Sequence, residues 1–218
     1  ICACLVGSEM CIRDRCSIAD GVFRSKGSYA CFGNPEWKNY SMSFKARAPK
    51  GAEQVQIWAG FRAYNRFDRY VAGIKGGLQD DVYLMRTGYM GTDEFMGVRP
   101  LGFHPVPGEW YSMKVEVCGN RIRVFVNGEK EPYIDVVDKN ANLVPSGEVT
   151  LGGGWIETEF DDLIVTLLPD NFLKNVKAAE YRMAATSQQK EAKRRRERAN
   201  YKAVMVNDIK PDRTEISL

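Results

Sequence analysis

The sequence predicts an all-β protein, an antiparallel β-sandwich followed by a C-terminal helical spacer. Three observations carry that prediction. From Gly21 to about Pro169, apolar and polar residues alternate with period two in short runs. Glycine, asparagine and proline punctuate the runs at the spacing expected of consecutive antiparallel strands. After Pro169 the apolar period lengthens to that of a helix.

The first fifteen residues, ICACLVGSEMCIRDR, fit none of these patterns. Back-translated, Glu9 to Arg15 accommodates AGATGTGTATAAGAGACAG, which is similar to the mosaic-end sequence of transposase-based sequencing libraries. Residues 1–15 are therefore expected to be translated adapter, and fold reasoning begins at Cys16. A signal-peptide remnant is the other reading of the apolar start. It lacks a basic n-region and an A-x-A cleavage site, and charged residues follow at once. Setting the segment aside removes Cys2, Cys4 and Cys11, so six cysteines no longer imply a disulfide scaffold. Cys31 and Cys118 stay open to two readings, a bridge in an exported protein or two small buried hydrophobes.

The expected strands run YSMSFKARA, EQVQIWAGFRAY, DRYVAGIKGG, DVYLMRTG, EWYSMKVEVCGN, RIRVFVNGE, GEVTLGGG and FDDLIVTLL. The clearest hairpin spans Val115 to Val126. There Gly119-Asn120 supplies the turn, and Val115, Val117, Ile122, Val124 and Val126 face the core. Residues 16–169 thus form one sandwich domain. Beyond it, Phe172, Val176, Ala179 and Met183 make a helical stripe with Asp170 as N-cap. Thr186 and Gln189 form a capping box that opens a second helix to about Tyr201. Residues 170–205 read as a helical linker and 206–218 as the start of a following domain.

Composition narrows the function. A hydrophobic share of 44% suffices for one substantial core and an appendage. No run of about 18 apolar residues occurs, so no helical membrane span is expected. The net charge of +3 comes from Lys190–Arg198 (KEAKRRRER), whose six cations face two anions. That run is isolated and has mixed helix faces, so nucleic acid is not an expected partner.

The strongest candidate site lies in EQVQIWAGFRAY. Alternation sends Val55, Ile57, Ala59, Phe61 and Ala63 to the core, and Trp58, Arg62 and Tyr64 to the opposite side. A flat ring, a fork of donors and an amphipathic ring suit sugar stacking and hydroxyl binding. Arg69 and Lys75 on the next strand, Gln79, Asp80, Asp81 and Tyr83 near a loop, and Trp155, after LGGG, are added to this carbohydrate-binding set. The competing reading packs Trp58 and Tyr64 beneath a loop and pairs Arg62 with an acid. Glu157 and Glu159 in IETEFDDL approach the carboxylate spacing of retaining glycosidases but miss the Glu-x-Asp-x-x-Glu pattern of sandwich glycanases. Asp161 and Asp162 are candidates to cap a strand or hold a structural Ca2+ through oxygen ligands. His104 is the only histidine and sits in the proline-rich GFHPVPGEW, so neither a His-based triad nor a zinc site is expected. No cofactor is otherwise expected.

Taken together, GNPEWKNYSMSFKARAP, PGEWYSMKVEVCGNRIRVFVNG and EFDDLIVT resemble a concanavalin A-like (laminin G-like) jelly-roll domain. Such domains occur near 3-keto-disaccharide hydrolase domains and carbohydrate-binding modules. The helical spacer and RTEISL resemble the entry to the sugar-binding sandwich of glycoside hydrolase family 2. In that order they are similar to the N-terminal extension of a family 2, β-galactosidase-like enzyme. The resemblance implies a non-catalytic part of a periplasmic or extracellular glycosidase. Its partners would be a galactoside or a plant or host glycan, and downstream catalytic domains of the same chain. A structural spacer without sugar binding is the alternative, and a sandwich glycanase the third.

Overall fold

The computed structural model describes residues 16–65, 67–77, 79–88, 93–140, 144–174 and 176. Their strands are β1 (Cys16–Ala19), β2 (Val22–Ser25), β3 (Tyr29–Phe32), β4 (Tyr40–Arg47), β5 (Gln56–Ala63), β6 (Arg69–Lys75), β7 (Asp81–Thr87), β8 (Glu94–Pro100), β9 (Tyr111–Cys118), β10 (Arg121–Val126), β11 (Ile134–Val137), β12 (Glu148–Gly152) and β13 (Thr158–Leu167). They form two antiparallel sheets, ordered β1-β2-β13-β4-β9-β10-β11 and β3-β12-β5-β6-β7-β8. The all-β sandwich expected from the alternation is the observed fold, and all eight expected runs are strands. Alternation did not disclose β1, β2, β3, β8 and β11, which are short or break period two.

The core fills the space between the sheets. Met42, Phe44 and Ala46 of β4 meet Ile57, Ala59 and Phe61 of β5, and all are at most 2% exposed. Val115, Val117, Ile122, Val124 and Val126 are also buried, as their alternation requires. Each large apolar side chain so enclosed contributes about 1.5–3 kcal/mol. Turn chemistry sets the registers. Asp20 and Gly21 both take positive φ, 54° and 78°, as a two-residue turn twisted to match its strands demands. Between β9 and β10 only Gly119 has positive φ (58°).

One polar cluster interrupts the interior. Tyr70 donates its hydroxyl to Asp138 Oδ2 (2.6 Å), and Arg86 Nη1 donates to both carboxylate oxygens (2.9 and 2.7 Å). Burial alone would raise the Asp138 pKa, but bonds from Tyr70, the Asn140 amide and Arg86 outweigh it and hold the carboxyl low. The pair of Arg86 on β7 and Asp138 after β11 thereby ties the two sheets together.

Cys31 and Cys118 lie in different sheets, and Cys118 is a buried free thiol, so the two are not bridged to each other. Past β13, turns at Phe172, Lys174 and Val176 each bond three residues back. Arg121 Nη1 donates to the Leu173 and Val176 carbonyls. The expected helices, the basic run, residues 1–15 and the start of a following domain otherwise lie outside the described residues.

Candidate functional site

The outer face of the six-stranded sheet carries a row of aromatic rings. Cross-strand register aligns Trp58 on β5 with Gly73 on β6, Tyr83 on β7 and Val98 on β8. Gly73 explains how the rings lie. A Cβ there would collide with the Ile57 carbonyl and come within 2.5 Å of the Tyr83 hydroxyl, so the Tyr83 ring occupies the space above the glycine. Its hydroxyl reaches the Ile57 carbonyl at 3.4 Å, and burial pushes the Tyr83 pKa well above its ordinary value. Trp58 meets Tyr83 edge to face, with centroids 6.3 Å apart, and Phe95 does so from the other side at 6.2 Å. Both separations fall in the favourable range for aromatic pairs. Val71, Met85 and Val98 complete the cluster and are almost fully buried, while Trp58 and Phe95 are half-buried. At the β5 end, the Arg69 guanidinium lies 4.1 Å above the Tyr29 ring.

A glycine-rich strap, Gly152 to Gly154, borders this row. A Cβ on Gly154 would stand 3.3 Å from Trp58 Cδ1, and one on Gly153 would stand 3.7 Å from the same ring. Gln56 pins the strap, because its Oε1 accepts the Trp155 amide (2.7 Å) and the Ile156 amide (3.2 Å). The Gly27 amide adds a bond to the Gly154 carbonyl (2.7 Å). Trp155 therefore stands on a fixed backbone with 77% of its surface exposed. It walls a groove of about 600 Å3 with Ser17, Arg24, Ser25, Lys26 and Glu157, beside the ring row and not within it.

The structure separates the other sequence candidates. Arg62 does not share the Trp58 face. It sits in a β-bulge with φ 47°, opposite a register shift between Glu148 and Thr150, and is 2% exposed. The extra residue reverses its direction toward the opposite sheet, where Nε donates to the Lys38 carbonyl (2.8 Å) and Nη2 to Asn39 Oδ1 (3.4 Å). Its amide donates to the Tyr40 hydroxyl (2.6 Å), which fixes the bulge, and burial lowers its pKa. Tyr64 lies past the strand end, 63% exposed, with its amide bonded to the Asp68 carbonyl. Gln79 is half-buried in the loop between β6 and β7, and its buried Oε1 has no hydrogen-bond partner among the described residues. Alternation pointed to Trp58. Tyr83 was expected only near a loop, and Phe95 was missed, because strand pairing alone brings the two beside it.

The acidic strand has a different role from the ones weighed for it. Glu159 is buried between Arg24 Nε (2.8 Å) and Arg47 Nε (2.6 Å), while Glu157 is exposed. Burial alone would raise the Glu159 pKa, but the bonds from Arg47 and Arg24 prevail and hold it below the usual carboxylate value. A carboxylate clasped by two guanidiniums is poorly placed as a nucleophile or acid. Asp161 and Asp162 form a second bulge rather than an ion-holding corner. Asp162 has φ 52°, its amide donates to Asp161 Oδ1 (2.8 Å), and its carboxylate pairs with Lys45 (2.8 Å). Among the described residues no cluster of three or more His, Cys, Asp or Glu is arranged for a metal. His104 Nδ1 stands 3.1 Å from both Asp80 carboxylate oxygens at the surface. No helix among the described residues is long and apolar enough to cross a membrane.

Comparison with solved structures agrees on the fold. The chain is similar to the carbohydrate-binding module CBM66 from Bacillus subtilis, at 15% identity and TM-score 0.57, over 69% of this chain and 89% of that one. A putative glycosyl hydrolase from Parabacteroides distasonis is similar at 14% identity and TM-score 0.52, over 71% and 91% of the two chains. A mutant of the GH43 protein BlXynB from Bacillus licheniformis matches at 11% identity and TM-score 0.52, and this chain spans 35% of its length. At these identities the likeness is one of fold. No protein-family model matches the chain, and no curated protein matches it.

Proposed function

We propose that this sandwich is a non-catalytic carbohydrate-binding domain and that the sugar lies against the outer face of the six-stranded sheet. The half-buried Trp58 on the outer face, in its row with Tyr83 and Phe95, is the observation that carries this reading. Ring faces in an ordered row offer apolar area to the C–H face of a pyranose without ordering cost at binding. Arg69 at one end supplies donors for hydroxyls. Two of the fold relatives are named as a carbohydrate-binding module and a putative glycosyl hydrolase, which supports a glycan as the ligand class. The Arg24–Glu159–Arg47 clasp argues against hydrolysis on this strand.

The sequence resemblance supports a further step, that this domain precedes the catalytic domains of a family 2, β-galactosidase-like glycosidase acting outside the cytoplasm. Reading the genomic frame beyond Leu218 tests that step. The binding reading is tested by titrating β-galacto-oligosaccharides against the wild type and Trp58→Ala. Loss of one stacking contact of about 1 kcal/mol predicts roughly fivefold weaker binding in the variant. Equal affinity in the two proteins would remove Trp58 from the site.

A further inference from the structure

Trp155 is unaccounted for by the ring row. A tryptophan 77% exposed forfeits the burial its ring normally gains, yet its backbone is held by the Gln56 side chain and by the Gly27–Gly154 bond. A mobile loop would not need those anchors. They fix an indole ring in the open, as a preorganised contact surface requires. The groove it walls contributes the hydroxyls of Ser17 and Ser25, the cations of Arg24 and Lys26 and the carboxylate of Glu157, so donors and acceptors stand together beside the ring.

The strap joins this groove to the Trp58 face. Gly154 is in contact range of Trp58, and Trp155 is the next residue, one Cα step of about 3.8 Å further on. Three consecutive glycines, Gly152 to Gly154, mean that the strap itself carries no side chain between Trp58 and Trp155. Gln56 lies under both, since its neighbour two residues on is Trp58 and its Oε1 holds Trp155.

We infer that the two tryptophans are successive stops on one track, and that the domain recognises an extended oligosaccharide rather than a single terminal sugar. One part of the chain stacks in the ring row at Trp58. A neighbouring part crosses the glycine strap and stacks on Trp155 over the groove floor. This rests on the carbohydrate-binding reading of the Trp58 face and adds ligand length to it. Once the first stop is occupied, the second contact is intramolecular, so two weak stacks give a steep gain with chain length.

Calorimetric titration with β-galacto- and xylo-oligosaccharides, from monosaccharide to hexasaccharide, tests the track. Wild-type affinity rises with length and levels off once both stops are filled. Trp155→Ala lowers affinity for the hexasaccharide about fivefold, the equivalent of one stack, and flattens the length dependence. Trp155→Phe retains a ring and keeps much of the rise, which separates stacking from any effect on the strap. Trp58→Ala weakens every length. The inference is overturned if wild-type affinity does not depend on length, or if Trp155→Ala keeps the full rise; both results leave sugar binding itself intact. Absence of binding at every length would remove the carbohydrate reading and the track with it.

Discussion

The outer faces of the two sheets arise from the same alternation and end as opposite surfaces. On the seven-stranded sheet, the charged side chains are closed among themselves. Glu159 joins Arg24 and Arg47, Glu116 joins Lys114 and Arg123, Asp135 joins Arg121, and Asp162 joins Lys45. Even Phe125 on that face is capped, with Lys114 and Arg123 over its ring at 5.3 and 4.9 Å. The six-stranded sheet instead carries Trp58 and Phe95, both half-buried, on either side of the buried Tyr83, and no cation is stacked on these rings among the contacts described. The first face satisfies its own groups and contributes to stability and solubility. The second holds apolar surface in a fixed arrangement that a ligand can complete.

The contrast is broken most severely at Gly73. Gly73→Val places side-chain atoms where the Ile57 carbonyl and the Tyr83 ring already are. Overpacking of that kind costs roughly 1–3 kcal/mol or more, and the ring row should come apart with it. Chemical denaturation should show the lowered midpoint, and near-ultraviolet circular dichroism the lost aromatic signal. A midpoint within error of wild type would mean that Tyr83 is not seated as described.

Next in size is the clasp on the charged face. Glu159→Gln leaves two arginines without their carboxylate, at a cost of about 1.5–3 kcal/mol for hydrogen bonds to a charged group. Because the folded Glu159 pKa lies below its unfolded value, near 4.3, the protein binds fewer protons folded than unfolded across that interval. The stabilisation is therefore complete above the unfolded pKa and is lost as pH falls through the folded one. Urea midpoints of the wild type and Glu159→Gln should differ at neutral pH and converge in acid. A gap that stays constant down to strongly acidic pH would refute the ionic character of the clasp.

The smallest effect is expected at Lys45. Its pair with Asp162 is open to solvent, each side chain being more than half exposed, and screening removes most of its value. Lys45→Ala should leave the denaturation midpoint unchanged within error at moderate salt. A clear loss would show that the bulge at Asp162 depends on that lysine.

How much of this was legible in the chain depends on whether a residue's direction is set locally. Ile57, Ala59 and Phe61, like Val115 to Val126, could be assigned to the core because strand alternation alone orients them. Arg62 could not, since one inserted residue reverses direction and the insertion is defined only against the partner strand. Gly147 marks the place: a Cβ there would meet Arg62 and Ala63 backbone atoms at 2.5 Å, so the bulge needs a glycine opposite it. That requirement appears only after pairing. The Asp161-Asp162 doublet did carry a local signal, because aspartate tolerates positive φ better than most residues. It was weighed as a cap or an ion ligand when it reports a bulge. Trp58 was found from its own strand, whereas Tyr83 and Phe95 became its neighbours through the registers of β5, β6, β7 and β8.

The order of strands also bears on how the protein behaves when concentrated. The sheets end at β1, β11, β3 and β8, and the first three of these are only four residues long. So brief a border offers an incoming chain few unpaired amides to zip against. The longer border, β8, begins with Glu94 and closes with Arg99 and Pro100, two charged residues and one that cannot donate to a ladder. Edge-to-edge stacking of one molecule on another into fibrils is thus discouraged at the four rims of the described sheets.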